Sequence, residues 1–253
     1  MRHIAGHRTA QQTDDLVVVL SERRGVVSLY RGSYGPHVLE DIGVVLSKAD
    51  SALATLEKFT RRLREEARVL TVHEYDGVVT LREVVGAVAT FEYTARIAAE
   101  IENYVRELGR EGRLVEMQLE QAFHHVPEQY EAIVRDYSAE GMSYKKIRTR
   151  LHELYSEEVS EPVLLAQILG YGSTGSLEEF FLKPRGYRQL VRVPRLPNRV
   201  AEKLIEEFGS LKDLLEATEE DLDDVEGVGQ ARARAIRRNL RRQRSLESSG
   251  EVL

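Results

Sequence analysis

The chain has 253 residues, 42% hydrophobic and 31% charged, so it can bury a core in one large domain or two to three small ones. With no Cys it has no disulfide framework, thiolate metal site or Cys nucleophile, and it fits a reducing cytoplasm. The net charge of −6 is unevenly spread: residues 1–183 hold 22 Lys and Arg against 29 Asp and Glu, whereas 184–244 hold 14 against 11.

Residues 1–10 are basic but lack the apolar stretch of a secretion signal. No apolar run approaches the ~20 residues that span a bilayer, so no membrane partner is expected. Leu16–Leu20 and Val26–Tyr30 are apolar, β-branched runs separated by Ser21-Glu22-Arg23-Arg24-Gly25. They read as a β-hairpin with both strands largely buried, and His37–Glu40 reads as a short third strand. From Asp50 the pattern turns helical. Asp50 or Ser51 is placed to cap Ala52–Leu70, and Val72–Asp76 reads as a break. Thr80 caps a long helix that stops at Gly109, with Val84, Val88, Phe91, Ala95, Ala98, Ile101 and Val105 as its apolar stripe. Shorter helices are predicted at Leu114–His125, Pro127–Tyr137, Ser143–Leu154, Pro162–Leu169 and Ser176–Phe181. Lys183-Pro184-Arg185-Gly186 reads as a linker, and the segment after Ser245 as a frayed tail.

The C-terminal module carries the strongest signal. Asp224-Val225-Glu226-Gly227-Val228-Gly229 opens a helix beginning Gln230-Ala231-Arg232. Two glycines permit a sharp turn and leave backbone N–H groups uncovered. With a helix N-terminus behind them, such N–H groups cradle a phosphate oxygen. Val225 and Val228 are assigned inward positions, and Ala231, Ala235 and Ile236 a close helix contact. Seven arginines and no acid lie between Arg232 and Arg244. Arg232, Arg234, Arg237 and Arg238 are therefore the expected backbone contacts, with Gly227, Val228 and Gly229 as the cradle. An earlier copy, Val193-Pro194-Arg195-Leu196-Pro197, precedes a helix over Asn198–Phe208 closed by Gly209, and adds Arg195. Helices over Ser210–Ala217 and Thr218–Leu222 join the copies. Two such hairpins can clasp both strands of a duplex without reading bases. A lone Gly-x-Gly is weak evidence, and an arginine-rich helix is most often a solvated face. The order hairpin, helix, linking helices, hairpin, basic helix is far more specific.

The segments Pro184-Arg185-Gly186-Tyr187, Pro194-Arg195-Leu196-Pro197 and Asp223–Ala233 resemble the DisA family of DNA integrity scanning proteins. So do Asp41-Ile42-Gly43, Ala52–Phe59, Tyr104–Gly109 and Ser21-Glu22-Arg23-Arg24, so the resemblance covers essentially the whole chain. It implies a diadenylate cyclase that condenses two ATP to cyclic di-AMP with Mg²⁺ or Mn²⁺, assembles as a homo-octamer, and is inhibited by branched DNA. It implies an α+β, mostly α architecture: residues 1–48 as the later part of a mixed-sheet cyclase domain, 49–183 as a helical spine, 184–246 as tandem helix-hairpin-helix, and 247–253 as tail. It also implies a cytoplasmic, nucleoid-associated protein. In the ungapped register Arg2 and His3 match the family's Arg-His-Arg-Thr-Ala motif and Ser21 its triphosphate serine, while Ile4 and Ala5 depart from it. A gapped register places Gly6-His7-Arg8-Thr9-Ala10 there instead.

The family's Asp-Gly-Ala motif is absent; the one Asp-Gly pair, Asp76-Gly77, is followed by Val78 in a different part of the chain. The chain is therefore expected to begin after the first strands of the cyclase domain and to make little or no cyclic di-AMP, because phosphoryl transfer needs a metal-holding carboxylate. A non-catalytic DNA-binding or assembly protein is the competing reading. A repair nuclease or glycosylase is disfavoured, since neither a carboxylate cluster for two metals nor a Lys with a downstream Asp beside the Gly-Val-Gly hairpin is evident; separately, His124-His125 lacks a third ligand at metal spacing.

Overall fold

The computed structural model describes residues 2–21, 26–172 and 175–249, with side chains from residue 4 to residue 244. The predicted hairpin turn at 22–25 and part of the 171–175 loop lie outside these. The chain divides into two compact units, residues 1–54 with 100–119, and residues 55–99 with 120–253. Helices dominate, with one small sheet among the described residues. No described helix is long and apolar enough to cross a membrane.

In the first unit, helix α1 (Arg2–Thr13) precedes strands β1 (Leu16–Ser21), β2 (Val26–Arg31) and β3 (His37–Leu39). The strands pair antiparallel in the order β1-β2-β3, with Val18 opposite Leu29 and Ser28 opposite Val38. Gly6 lets α1 lie against the sheet, because a Cβ there would collide with a Val19 methyl. Only one face of β1 is covered. Leu16, Val18 and Leu20 are each about 60% exposed and alternate with half-buried neighbours, so the expectation of two largely buried strands is corrected. A continuous apolar run does not reveal that a layer covers one face alone.

Helix α2 (Ile42–Asp76) runs unbroken through the expected domain boundary at 48–49 and through the expected break at 72–76. Its cap is Asp41, whose Oδ1 accepts the Gly43 N–H at 2.8 Å, and not Asp50 or Ser51. Ser51 sits mid-helix and donates its hydroxyl to the Ser47 carbonyl. Gly77, at φ +71°, ends the helix in a left-handed turn in which the Val78 N–H reaches the His73 carbonyl.

Helix α3 (Leu81–Leu108) matches its prediction, including the cap. The Thr80 hydroxyl oxygen accepts the Glu83 N–H at 3.3 Å, and Glu83 Oε2 accepts the Thr80 N–H at 2.8 Å. Glu83 also meets His73 Nδ1 at 2.5 Å, tying the end of α2 to the start of α3. Thr80→Ala is expected to remove about 1 kcal/mol of stability, seen as a melting temperature lower by about 2–4 °C in a thermal scan.

Helices α4 (Arg113–Phe123), α5 (Val126–Tyr137), α6 (Tyr144–His152) and α7 (Pro162–Ile168) follow. In the second unit Leu63, Val84, Val88, Phe91, Tyr130, Ile133, Ile147 and Leu165 belong to one core. Within it the buried Glu92 accepts from Arg96, Tyr130 and Arg148, each at 2.9 Å, and so joins α3, α5 and α6. The helix expected over Ser176–Phe181 does not form. That segment crosses the start of α3, with Leu81 N–H on the Phe180 carbonyl and Leu182 N–H on the Val79 carbonyl, both at 2.8 Å. Its backbone groups find partners in that long-range pairing instead of in a helix.

Candidate nucleic-acid interface

Helices α8 (Tyr187–Val191), α9 (Asn198–Phe208), α10 (Leu211–Glu216), α11 (Glu219–Asp223) and α12 (Gly229–Ser249) enclose a second core, with Leu190, Val193, Leu204, Leu211, Leu222, Val228, Ile236 and Leu240 inside. Ser210 caps α10, and Thr218 with Asp221 forms a capping box on α11. Gly209 at φ +71° closes α9 as expected. The basic helix α12 continues to Ser249, past the predicted start of the tail at 247.

The second hairpin turns as predicted. Gly227 and Gly229 sit at φ +92° and +63°, conformations that cost an L side chain about 1 kcal/mol or more. A Cβ on Gly229 would meet nothing within 4 Å, so the space in front of the helix N-terminus is open. The first-turn N–H groups of a helix have no intrahelical acceptor, and they carry the positive end of its dipole. Val225, Val228 and Ile236 are buried as expected and Ala235 is half-buried, but Ala231 is exposed and Ala233 is fully buried in its stead.

The first hairpin repeats this geometry only in part. Offset by 32 positions, Arg195 stands where Gly227 stands and also adopts a positive φ, +60°, whereas Pro197, in the place of Gly229, sits at φ −67° as the residue before α9. Buried positions correspond: Val193 with Val225, Ala201 with Ala233, Leu204 with Ile236.

The expected arginines do not act alike. Arg195 and Arg238 are exposed. Arg234 and Arg237 lie 3.8 Å from the Glu219 carboxylate, a loose surface pairing worth little. Arg232 turns back and donates to the Gly227 carbonyl, so it shapes the hairpin from behind. In the first unit Ser21 ends β1 opposite Val26, and the side chains of Arg2 and His3, at the start of α1, lie outside the described residues. Ala10 of the alternative register is fully buried and Arg8 exposed.

The segment read as a linker is a locked junction. Asp136, near the end of α5, is buried and accepts the N–H groups of Gly186, Tyr187 and Arg188 at 2.6–2.7 Å. Arg185 answers by donating to the carbonyls of Arg135, Asp136 and Ser138 at 2.6–3.0 Å. The C-terminus of α5 and the N-terminus of α8 thus cap one another. Beneath them the buried Glu74 of α2 accepts from Arg188, from the Tyr137 hydroxyl at 2.5 Å and from the Gln189 amide at 2.5 Å. Burial, then the neighbouring Glu74, pushes the Asp136 carboxyl up to about 7. Burial lowers the Arg188 pKa, but Glu74, Tyr137 and Asp136 together outweigh it and the net direction is up. Sequence reasoning missed Asp136, Arg185, Arg188 and Glu74, although the unusual Pro184-Arg185-Gly186 string was visible.

Comparison with known proteins agrees with this architecture. Residues 39–178 match the family model for the DisA bacterial checkpoint controller linker region, and 193–247 match a helix-hairpin-helix motif. The chain is 39% identical to a DNA integrity scanning protein DisA of Clostridium acetobutylicum, across 95% of this chain and 67% of that one. It is 41% identical to that of Carboxydothermus hydrogenoformans, across 96% and 70%. The chain belongs to the DisA family. Within a DisA chain, the junction at Asp136 is where the segment matching the linker model gives way to the segment matching the hairpin motif.

Among the described residues no group of three or more His, Asp or Glu side chains is placed to hold a metal ion.

Proposed function

We propose that this chain grips double-stranded DNA by its phosphates through the two hairpins, without reading base sequence, and that it serves as the DNA-sensing portion of a DisA-type protein. The observation that carries this is the open, glycine-formed cradle at Gly227–Gly229, backed by an arginine-rich helix in an otherwise acidic chain. The name DNA integrity scanning protein, borne by the relatives, agrees with it. The experiment is a titration of labelled duplex with purified chain, using unrelated sequences and a four-way junction. Comparable affinity for unrelated duplexes supports the reading, and absence of binding at moderate salt overturns it.

The family chemistry, condensation of two ATP to cyclic di-AMP with Mg²⁺ or Mn²⁺ in a homo-octamer inhibited by branched DNA, is proposed for the DisA architecture and not for these 253 residues alone. The sequence holds no Asp-Gly-Ala, and Ile4 and Ala5 interrupt the second motif. Incubation of the chain with ATP and either metal is expected to yield no cyclic di-AMP by mass spectrometry. Measurable product would contradict this and favour Arg2, His3 and Ser21 as a working nucleotide site.

A further inference from the structure

The two hairpins share their buried positions but not their surface. At the 32-residue offset the outward positions of the following helices invert in sign: Glu202 stands where Arg234 stands, and Glu206 where Arg238 stands. Glu206 and Glu207 are exposed, as are Arg234 and Arg238. Helix α9 carries Arg199 and Lys203 against Glu202, Glu206 and Glu207, whereas α12 from Arg232 to Arg244 carries seven arginines and no acid.

The remaining charges of α9 are engaged inside the second unit. Glu202 accepts Arg135 Nη1 of α5 at 2.6 Å, and Lys203 meets Glu226 of the second hairpin at 2.5 Å. Exposed cations remain at Arg195 in the first hairpin and at Arg199 in the first turn of α9, the latter also within the field of Glu226. Helix α12 is also longer, 21 residues against 11, and keeps exposed arginines at 241 and 242 beyond the last core residue, Leu240.

We propose that the hairpins are unequal: the second, with Arg238 and Arg242 along α12, holds the phosphate backbone, while the first touches it only at Arg195 and Arg199 and uses α9 to anchor the module on α5. A strand running along α9 as one runs along α12 would meet Glu206 and Glu207, so these two acids limit the footprint on that side.

This rests on the DNA-binding reading, and the test separates the two. Affinity for a short labelled duplex is measured from about 50 to 200 mM salt for the parent, Arg238→Gln/Arg242→Gln, Arg195→Gln/Arg199→Gln and Glu206→Gln/Glu207→Gln. The α12 pair is expected to lose more than about 10-fold and to flatten the log–log salt slope by about 2, since each neutralised phosphate contributes roughly one unit. The Arg195 and Arg199 pair is expected to lose about 3-fold or less. The Glu206→Gln/Glu207→Gln variant is expected to bind about 2- to 5-fold tighter, a gain that misfolding cannot mimic. Equal losses from the two arginine pairs, or no gain from removing the acids, would overturn the inequality while leaving DNA binding intact. A parent chain that binds no duplex would overturn the underlying reading itself.

Discussion

Asp136→Ala destabilises the second unit by about 3–5 kcal/mol, lowering its melting temperature by about 10 °C. The carboxylate accepts three consecutive N–H groups at the start of α8. Truncation leaves those donors buried beside the Arg188–Glu74 pair, and each unsatisfied buried donor costs about 1–3 kcal/mol. Asp136→Asn is expected to be milder, because its amide oxygen still serves Gly186 and Tyr187 while its nitrogen opposes the Arg188 N–H. The same residue sets a pH dependence. Its carboxyl is raised from an ordinary 3.8 to about 7, so the native state holds this proton through that window when the unfolded chain does not. Its stabilising contribution is full below about 4 and is lost as pH rises through about 7. Melting scans from pH 5 to pH 8 are expected to show a declining midpoint in the parent and a flatter profile in Asp136→Ala. A parent midpoint that rises across this range would refute the assignment.

Gly229→Asp is expected to weaken duplex binding about 100-fold, ~2.7 kcal/mol, with much less effect on folding. Asp and Asn are the non-glycine residues that best tolerate a left-handed backbone, and no atom lies within 4 Å of the added Cβ. The side chain therefore enters the space reserved for phosphate and brings a like charge to it. Gly229→Asn has the same shape without the charge and should lose about 10-fold, so the pair divides obstruction from repulsion. Bulkier residues at Gly227 act more harshly, since φ +92° strains an L side chain there. Unchanged binding by Gly229→Asp, with a melting curve like the parent's, would remove the cradle from the account.

The parts of this molecule written in local signals were legible. Pro197 and Gly209 bracket α9, Thr80 and Glu83 announce α3, and the Gly-Val-Gly turn announces α12. Local signals also misled. Asp50-Ser51 is as good a local cap signal as Asp41, yet α2 begins at Ile42, ten residues before Ala52. On α12 the sequence marks Ile236 correctly but not Ala233 over Ala231, because alanines at alternate positions give no apolar contrast. What could not be read was the junction. Asp136 and Arg188 are 52 residues apart and Arg188 and Glu74 are 114 apart, and a lone buried carboxylate carries no periodicity. The inverted charges of α9 were visible in the sequence, but their meaning depends on Glu202 reaching Arg135.

The central claim, that the C-terminal module holds DNA by its backbone, is tested most directly by the salt dependence of binding to duplexes of unrelated sequence. The account predicts superimposable isotherms for the different sequences, and a log affinity that falls linearly with log salt and less steeply in Arg238→Gln/Arg242→Gln. Affinity that differs by orders of magnitude between sequences, or that ignores salt, would contradict it.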